Sequence, residues 1–239
     1  MKIIMPGALS VEFRLHSWRR LTTLWQAKLR LTAVLNVLFW VFYLFLSRHA
    51  LLPVHTLPMT WLDRWAGFQP HLWAWMYESN FLLVGVVPWL IDSQGELRRY
   101  AAGFALLSVV CFVVFALFPV ASPRPANLEA SPFLIFITRV DGPLNAFPSL
   151  HAGCLIYALA WARRLCGGRL NLWITVLLLV WAALILFATL ATKQHYALDL
   201  LAGGLIGWAA DWFAWRSPIS GDMASIKTRR KSGVASQAG

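Results

Sequence analysis

Residues 172–192 read LWITVLLLVWAALILFATLAT, an unbroken run without a charged side chain. A helix needs roughly 20 predominantly apolar residues to cross the hydrocarbon core of a bilayer. This run supplies them without help from its neighbours, and a helix of that composition has no polar face to offer water. Working outward, five further apolar segments stand at 31–52, 72–91, 100–120, 148–162 and 196–215. The segment at 148–162 is short for a span unless the residues before it contribute.

The composition agrees. Of 239 residues, 59% are hydrophobic and 13% charged, against about 25% charged in an ordinary soluble domain. The mean hydropathy is +0.61, and 14 tryptophans suit the aromatic belts at membrane interfaces. Collagen-like, disordered and disulfide-stapled chains are excluded, as is a large soluble enzyme. The expected fold is therefore all-α, an integral membrane bundle of six transmembrane helices. Cys111, Cys154 and Cys166 lie in or beside apolar stretches, form no CxxC pair, and read as buried structural thiols.

Before the first span, Trp18, Leu21, Trp25 and Leu29 recur at helical spacing among Arg14, Arg19, Arg20, Lys28 and Arg30. The pattern reads as an N-terminal amphipathic helix lying in the membrane interface; a plain extension of the first span into water fits the same residues. Lys2 precedes no continuous apolar core, so no cleavable signal peptide is expected. The organisation read from the sequence is an interfacial segment at 1–30, a membrane domain at 31–216 and a disordered basic tail at 217–239.

A net charge of +11 and a pI of about 10.3 would suggest nucleic acid in a soluble protein. Here the basic residues instead sort by side. Sixteen of the 21 fall in the two termini and in the loops at 92–99 and 163–170, and five in the remaining loops. Cytoplasmic loops carry the excess of Lys and Arg. Both termini are expected in the cytoplasm of a plasma-membrane protein, with the loops at 121–147 and 193–196 facing outward.

Those outward loops carry the ionisable residues that are costly at membrane depth. One stretch is Asn145-Ala146-Phe147-Pro148-Ser149-Leu150-His151-Ala152-Gly153; the other is Lys193-Gln194-His195-Tyr196-Ala197-Leu198-Asp199. On a helix, His195 and Asp199 share a face, so the carboxylate can fix the imidazole tautomer and leave the other ring nitrogen free to attack. Pro148 suits a first helical turn, where backbone N–H groups and the Ser149 hydroxyl can face an anion and His151 can donate a proton. Arg124 offers a planar fork to phosphate oxygens, and Lys193 adds a second positive charge. Nucleophile, acid and cationic shell are the parts that in-line phosphoryl transfer requires. A metal on His151, His195 and Asp199 is disfavoured because Arg124 and Lys193 would repel a cation.

Phe-Pro-Ser-Leu-His-Ala-Gly and His-Tyr-Ala-Leu-Asp-Leu-Leu-Ala-Gly resemble the second and third motifs of the type-2 phosphatidic acid phosphatase superfamily, and Arg124-Pro125 the end of its first. The resemblance runs from Phe118 to Gly207. It implies a six-helix fold, His195 as nucleophile, Asp199 as its partner, His151 as acid and then base, and Arg124 as a phosphate ligand. Three positions depart from the pattern. Leu117 stands where the first motif has lysine, Ala188-Thr189 where the third has Ser-Arg, and Leu150 where the second commonly has glycine. With these changes the motifs are closer in style to the branch containing inositol phosphorylceramide synthases, and Lys193 is a candidate substitute for the absent arginine.

The expected activity is hydrolysis of a lipid phosphate without cofactor or metal, with membrane lipids as surroundings and no nucleic acid partner. Transfer of a phosphorylated head group to an alcohol is the alternative, and a non-catalytic lipid carrier on the same scaffold a further one. The oligomeric state is left open. Of the other ionisable groups, Glu78 reads as a neutral acid bonded to another helix or as a proton relay. Arg139 and Asp141 read as contacts to a head group or, the more common outcome, as a loop salt bridge, and Asp211 as paired with a basic neighbour.

Overall fold

A computed structural model describes residues 19–125, 132–166 and 171–216. These form α1 (Trp25–Leu46), α2 (Trp61–Ala66), α3 (Pro70–Glu78), α4 (Asn80–Val86), a 3-10 turn (Val87–Leu90), α5 (Gln94–Leu117), α6 (Pro132–Val140), α7 (Leu150–Leu165), α8 (Leu172–Ala191) and α9 (Ala197–Arg216). The described residues contain no strand; isolated bridges join His55 to Val120 and Val120 to Asn145.

The regular elements of the described residues are all helical, as expected, and of the six transmembrane helices read from the sequence three, α1, α5 and α8, are by themselves long and apolar enough to cross a membrane. The segment at 72–91 is divided among α3, α4 and the 3-10 turn. At the first break the Ser79 hydroxyl donates to the Met76 carbonyl, and at the second Pro88 has no N–H to continue the ladder. Helix α7 has 16 residues. Helix α9 has 20 but carries Asp199, Asp211 and Arg216.

The expected N-terminal helix is also interrupted. Residues 13–18 lie outside the described residues; 19–22 are helical and a turn follows. Thr22 and Thr23 hydroxyls both donate to the Arg19 carbonyl, competing with the helix ladder, and Leu24 adopts a left-handed φ of 58°. Lys28 is not on a solvated face: it is fully buried, its ammonium donating to the carbonyls of Arg20 and Trp89. The tail beyond 216 lies outside the described residues.

The closest packing is between α7 and α9, and α5 lies against both. Glycine makes it possible. A Cβ on Gly203 would collide with the Ser149 carbonyl, and one on Gly207 with the Gly153 carbonyl. The reading of Gly203–Gly207 as a packing face rather than a phosphate loop therefore holds. Leu107 and Phe115 of α5, with Leu155, Tyr157 and Trp161 of α7, fill the core beside this contact. Outward positions such as Val37, Val41, Leu177 and Val180 remain exposed and apolar, which matches a hydrocarbon solvent and not water.

The two ends of the bundle differ chemically. At one, Arg20 meets Asp92 and the Leu165 carbonyl, and Arg164 grips Asp211 with two hydrogen bonds of 3.0 and 2.6 Å, the pairing expected for Asp211. Cys166 caps α7 near this end and is exposed, unlike Cys111 and Cys154. The other end collects both histidine motifs.

Candidate active site

The site begins where α7 and α9 begin. The Ser149 N–H donates to the Asp199 carbonyl at 3.0 Å, so one backbone bond fastens the two helix starts together. Ser149 is the N-cap of α7, its hydroxyl oxygen accepting from Ala152 N–H at 3.3 Å, an arrangement worth about 1 kcal/mol. Pro148 precedes the cap and does not open the helix; the Phe147–Pro148 peptide is cis. Ser149 is fully buried.

His195 is not on the helix with Asp199. It sits in the turn two residues before α9, where the Thr189 carbonyl accepts the N–H groups of Gln194 and His195. Asp199 instead completes the helix start, Oδ2 accepting the Tyr196 N–H at 2.7 Å. The His195 ring lies with Nδ1 at 2.8 Å from the Ala146 carbonyl and 3.6 Å from Asp199 Oδ2. A carbonyl oxygen only accepts, so Nδ1 carries the hydrogen and Nε2 the lone pair. The tautomer expected from Asp199 is thus set first by a main-chain atom. Asp199 Oδ1 is buried without a hydrogen-bond partner among the described residues.

Ala146 is placed by the loop that follows α6. Its N–H donates to the Val120 carbonyl, Leu144 N–H to Ser47, and Ser122 N–H to Pro143. The same loop holds Arg124. Its Nη1 donates to the Asp141 carbonyl at 2.8 Å, and Nη2 approaches Asp141 Oδ2 and the Gly142 carbonyl at 3.4 Å. Arg124 Nε is buried with no acceptor among the described residues. Asp141 therefore pairs with Arg124, not with Arg139, which is exposed. Its Oδ1 accepts from Tyr43 at 2.8 Å and Asn145 at 2.9 Å.

His151 lies in the first turn of α7, its ring centroid 5.7 Å from that of His195. Tyr77 stacks on it at 4.1 Å and places its hydroxyl 3.1 Å from Nδ1. Asn80 donates to the His151 carbonyl. His151 Nε2 is buried with no partner among the described residues. A cavity of about 120 Å³ has His151, Tyr77, Glu78 and Asp141 in its wall. Glu78 is half-buried there; among the described residues it shows no bond to another helix, the arrangement the sequence reading favoured.

Lys193 stands apart from the expectation. Its backbone is left-handed, φ 55°, and its ammonium is buried against the Asp63 carbonyl, to which it donates. Burial lowers its pKa while the charge of Asp63 draws it back up. Asp63 also accepts the Ala197 N–H at 2.8 Å and closes a capping box with Thr60, so α2 braces the turn that carries His195.

The structure thus brings His195, Asp199, Ser149 and His151 together, bonds Arg124, from the segment before α6, to the loop after α6 whose Ala146 touches His195, and places Lys193 behind the turn. Tyr77, the Ala146 carbonyl and Asp63 escape the sequence reading. Thr60-x-x-Asp63 preceding a helix is a readable capping signal; a tyrosine inside an apolar segment and a backbone carbonyl leave no sequence signal.

A sequence model described as the PAP2 superfamily matches residues 46–213. With the histidine motifs gathered at one end of a helical bundle, the chain belongs to the PAP2 superfamily, whose members are phosphatases and phosphotransferases. No curated protein and no solved structure shows significant similarity to it.

Proposed function

We propose that the chain is a membrane-embedded lipid phosphate phosphatase working through a phosphohistidine at the outer face of the plasma membrane. The observation that carries the reading is the pair of imidazoles 5.7 Å apart, each with Nδ1 engaged and Nε2 left for chemistry. His195 Nε2 attacks phosphorus and the lipid oxygen departs with its bonding pair. His151, as the imidazolium with Nδ1–H donating to the Tyr77 hydroxyl oxygen, supplies the proton to the departing lipid oxygen from Nε2 and is left neutral. A water then enters, His151 Nε2 takes its proton, the water oxygen bonds to phosphorus, and the N–P bond breaks with its pair returning to His195 Nε2 to give inorganic phosphate. Asp199 balances the positive charge that His195 acquires. Arg124 Nε–H, the Ser149 hydroxyl and the positive field of Lys193 stabilise the equatorial oxygens. No metal enters the scheme, so chelators leave turnover unchanged.

The positive-inside distribution supports six crossings with both termini cytoplasmic, α3 to the 3-10 turn, α7 and α9 completing the set begun by α1, α5 and α8. Leu150 and Ala188-Thr189, where the motifs differ from the common phosphatase pattern, favour a second reading in which an alcohol replaces water. Incubating purified protein with a panel of lipid phosphates, with and without lipid or polyol alcohols, tests both. Free phosphate supports hydrolysis, and a new phosphodiester supports transfer. Wild type indistinguishable from His195→Ala on every member overturns both and leaves a lipid-binding protein.

A further inference from the structure

A second cavity, of about 340 Å³, lies on the other side of His151. Its wall is built by α1, α4, the 3-10 turn, α5 and the first turn of α7. His151, Tyr43 and Asn80 stand at one end, and Leu31, Pro88 and Leu97 at the other. On α1 alone the lining runs from Leu31 to Tyr43, about 18 Å at the rise of a helix. The cavity is long and chiefly apolar, with Thr32, Asn36 and Tyr100 as polar residues along its length and Tyr43, Asn80 and His151 at the end described above; an apolar lining with a few polar groups is the usual make-up of a small-molecule site. The His151 end adjoins the site: His151, Tyr43 and Trp40 also line the smaller cavity that contains Asp141, the residue bonded to Arg124. An occupant of the apolar length would have its polar end at the candidate acid.

We propose that this cavity receives the hydrocarbon chain of the phosphate-bearing substrate, drawn inside the helix bundle rather than left in the bilayer. The proposal rests on the lipid-phosphate reading above and narrows it to substrates with a single slender chain next to the phosphate. Gly85 gives the means to test it. It lines the cavity, and a Cβ built there meets nothing within 4 Å, so a large side chain at this position occupies the space the chain would take. Leu35, on the facing wall, offers a second route to the same end.

The experiment uses the full chain in mixed micelles with butyl, octyl and dodecyl phosphate, dodecanol and inorganic phosphate. Phosphate release is read for the wild type, Gly85→Phe, Leu35→Trp and Val41→Phe, the last adding bulk on the outward face of α1. Binding is read separately as thermal stabilisation of each form carrying His195→Ala. The expected result is a preference for dodecyl over butyl phosphate of at least about tenfold in wild type. Gly85→Phe and Leu35→Trp remove that preference, and Val41→Phe keeps it, because every excluded methylene costs several-fold in an equilibrium constant.

Turnover with no dependence on chain length, or with the same dependence in the two filling variants, overturns the chain site and leaves the phosphatase reading standing. Stabilisation by dodecyl phosphate that the filling variants abolish, without turnover of any probe, supports the chain site and overturns the phosphatase. Dodecanol stabilising as strongly as dodecyl phosphate shows a cavity filled by any bilayer chain, and that too overturns the proposal.

Discussion

In the proposed mechanism the acid step turns on the pair Tyr77 and His151. The ring stack, at 4.1 Å, and the hydroxyl contact, at 3.1 Å, are separable by substitution. Tyr77→Phe keeps the stack and removes the hydroxyl, so it is expected to lower kcat by on the order of tenfold to a hundredfold, the usual weight of a well-placed acid–base group. KM should stay within about twofold, since no substrate contact is lost. A steady-state comparison of the two constants checks this; a rise in KM with unchanged kcat would assign Tyr77 to binding. His195→Ala should abolish phosphate release while leaving the melting temperature within a few degrees, and a rapid alkaline quench, which preserves the N–P bond, should trap phosphoprotein from the wild type and none from the variant. If labelled phosphate still becomes attached to that variant, the nucleophile lies elsewhere.

At the scale of elements, the contact between α7 and α9 sets the distance between the two histidines. Gly203→Ala and Gly207→Ala each push a methyl into a carbonyl of α7 and are expected to cost about 1–3 kcal/mol, with activity falling alongside. Gly204, whose added Cβ would find only Ile156 at 3.6 Å, is the control: Gly204→Ala should be near neutral. Thermal unfolding of the three variants decides, and equal losses at all three positions would discard the close-packing account. These elements were unevenly legible from the sequence. Long apolar runs announce α1, α5 and α8 because a bilayer asks for length and little else. The break of 72–91 into three pieces depends on one serine hydroxyl and one proline. The displacement of His195 from α9 depends on the Thr189 carbonyl and the Ala146 carbonyl, neither of which a residue pattern records. The motif residues themselves were legible, because ionisable side chains stand out against an apolar background. Lys193 was legible as a charge but not as one committed to Asp63.

At the scale of the whole molecule, Cys166 sits at the end opposite the histidines and is exposed, whereas Cys111 and Cys154 are buried. With six crossings and cytoplasmic termini, a membrane-impermeant maleimide should leave intact cells unlabelled and modify this single thiol once the membrane is opened. Labelling of intact cells would invert the topology and put the phosphate chemistry on the cytoplasmic side. Arg164 and Asp211, which tie α7 to α9 at that same end, should matter for stability and not for turnover per folded molecule.

The short contact from His195 to the Ala146 carbonyl has a genetic corollary. A scan that replaces side chains one by one can delete Asp199, Tyr77 or Arg124, yet it leaves every backbone oxygen in place. Such a scan would rank Asp199 as the sole orienting partner and pass over Ala146, whose own methyl contributes nothing to that bond. Only an edit to the main chain, such as an ester in place of the Ala146–Phe147 amide to weaken the acceptor, would reveal how much of the nucleophile's poise is held by an atom that no codon specifies.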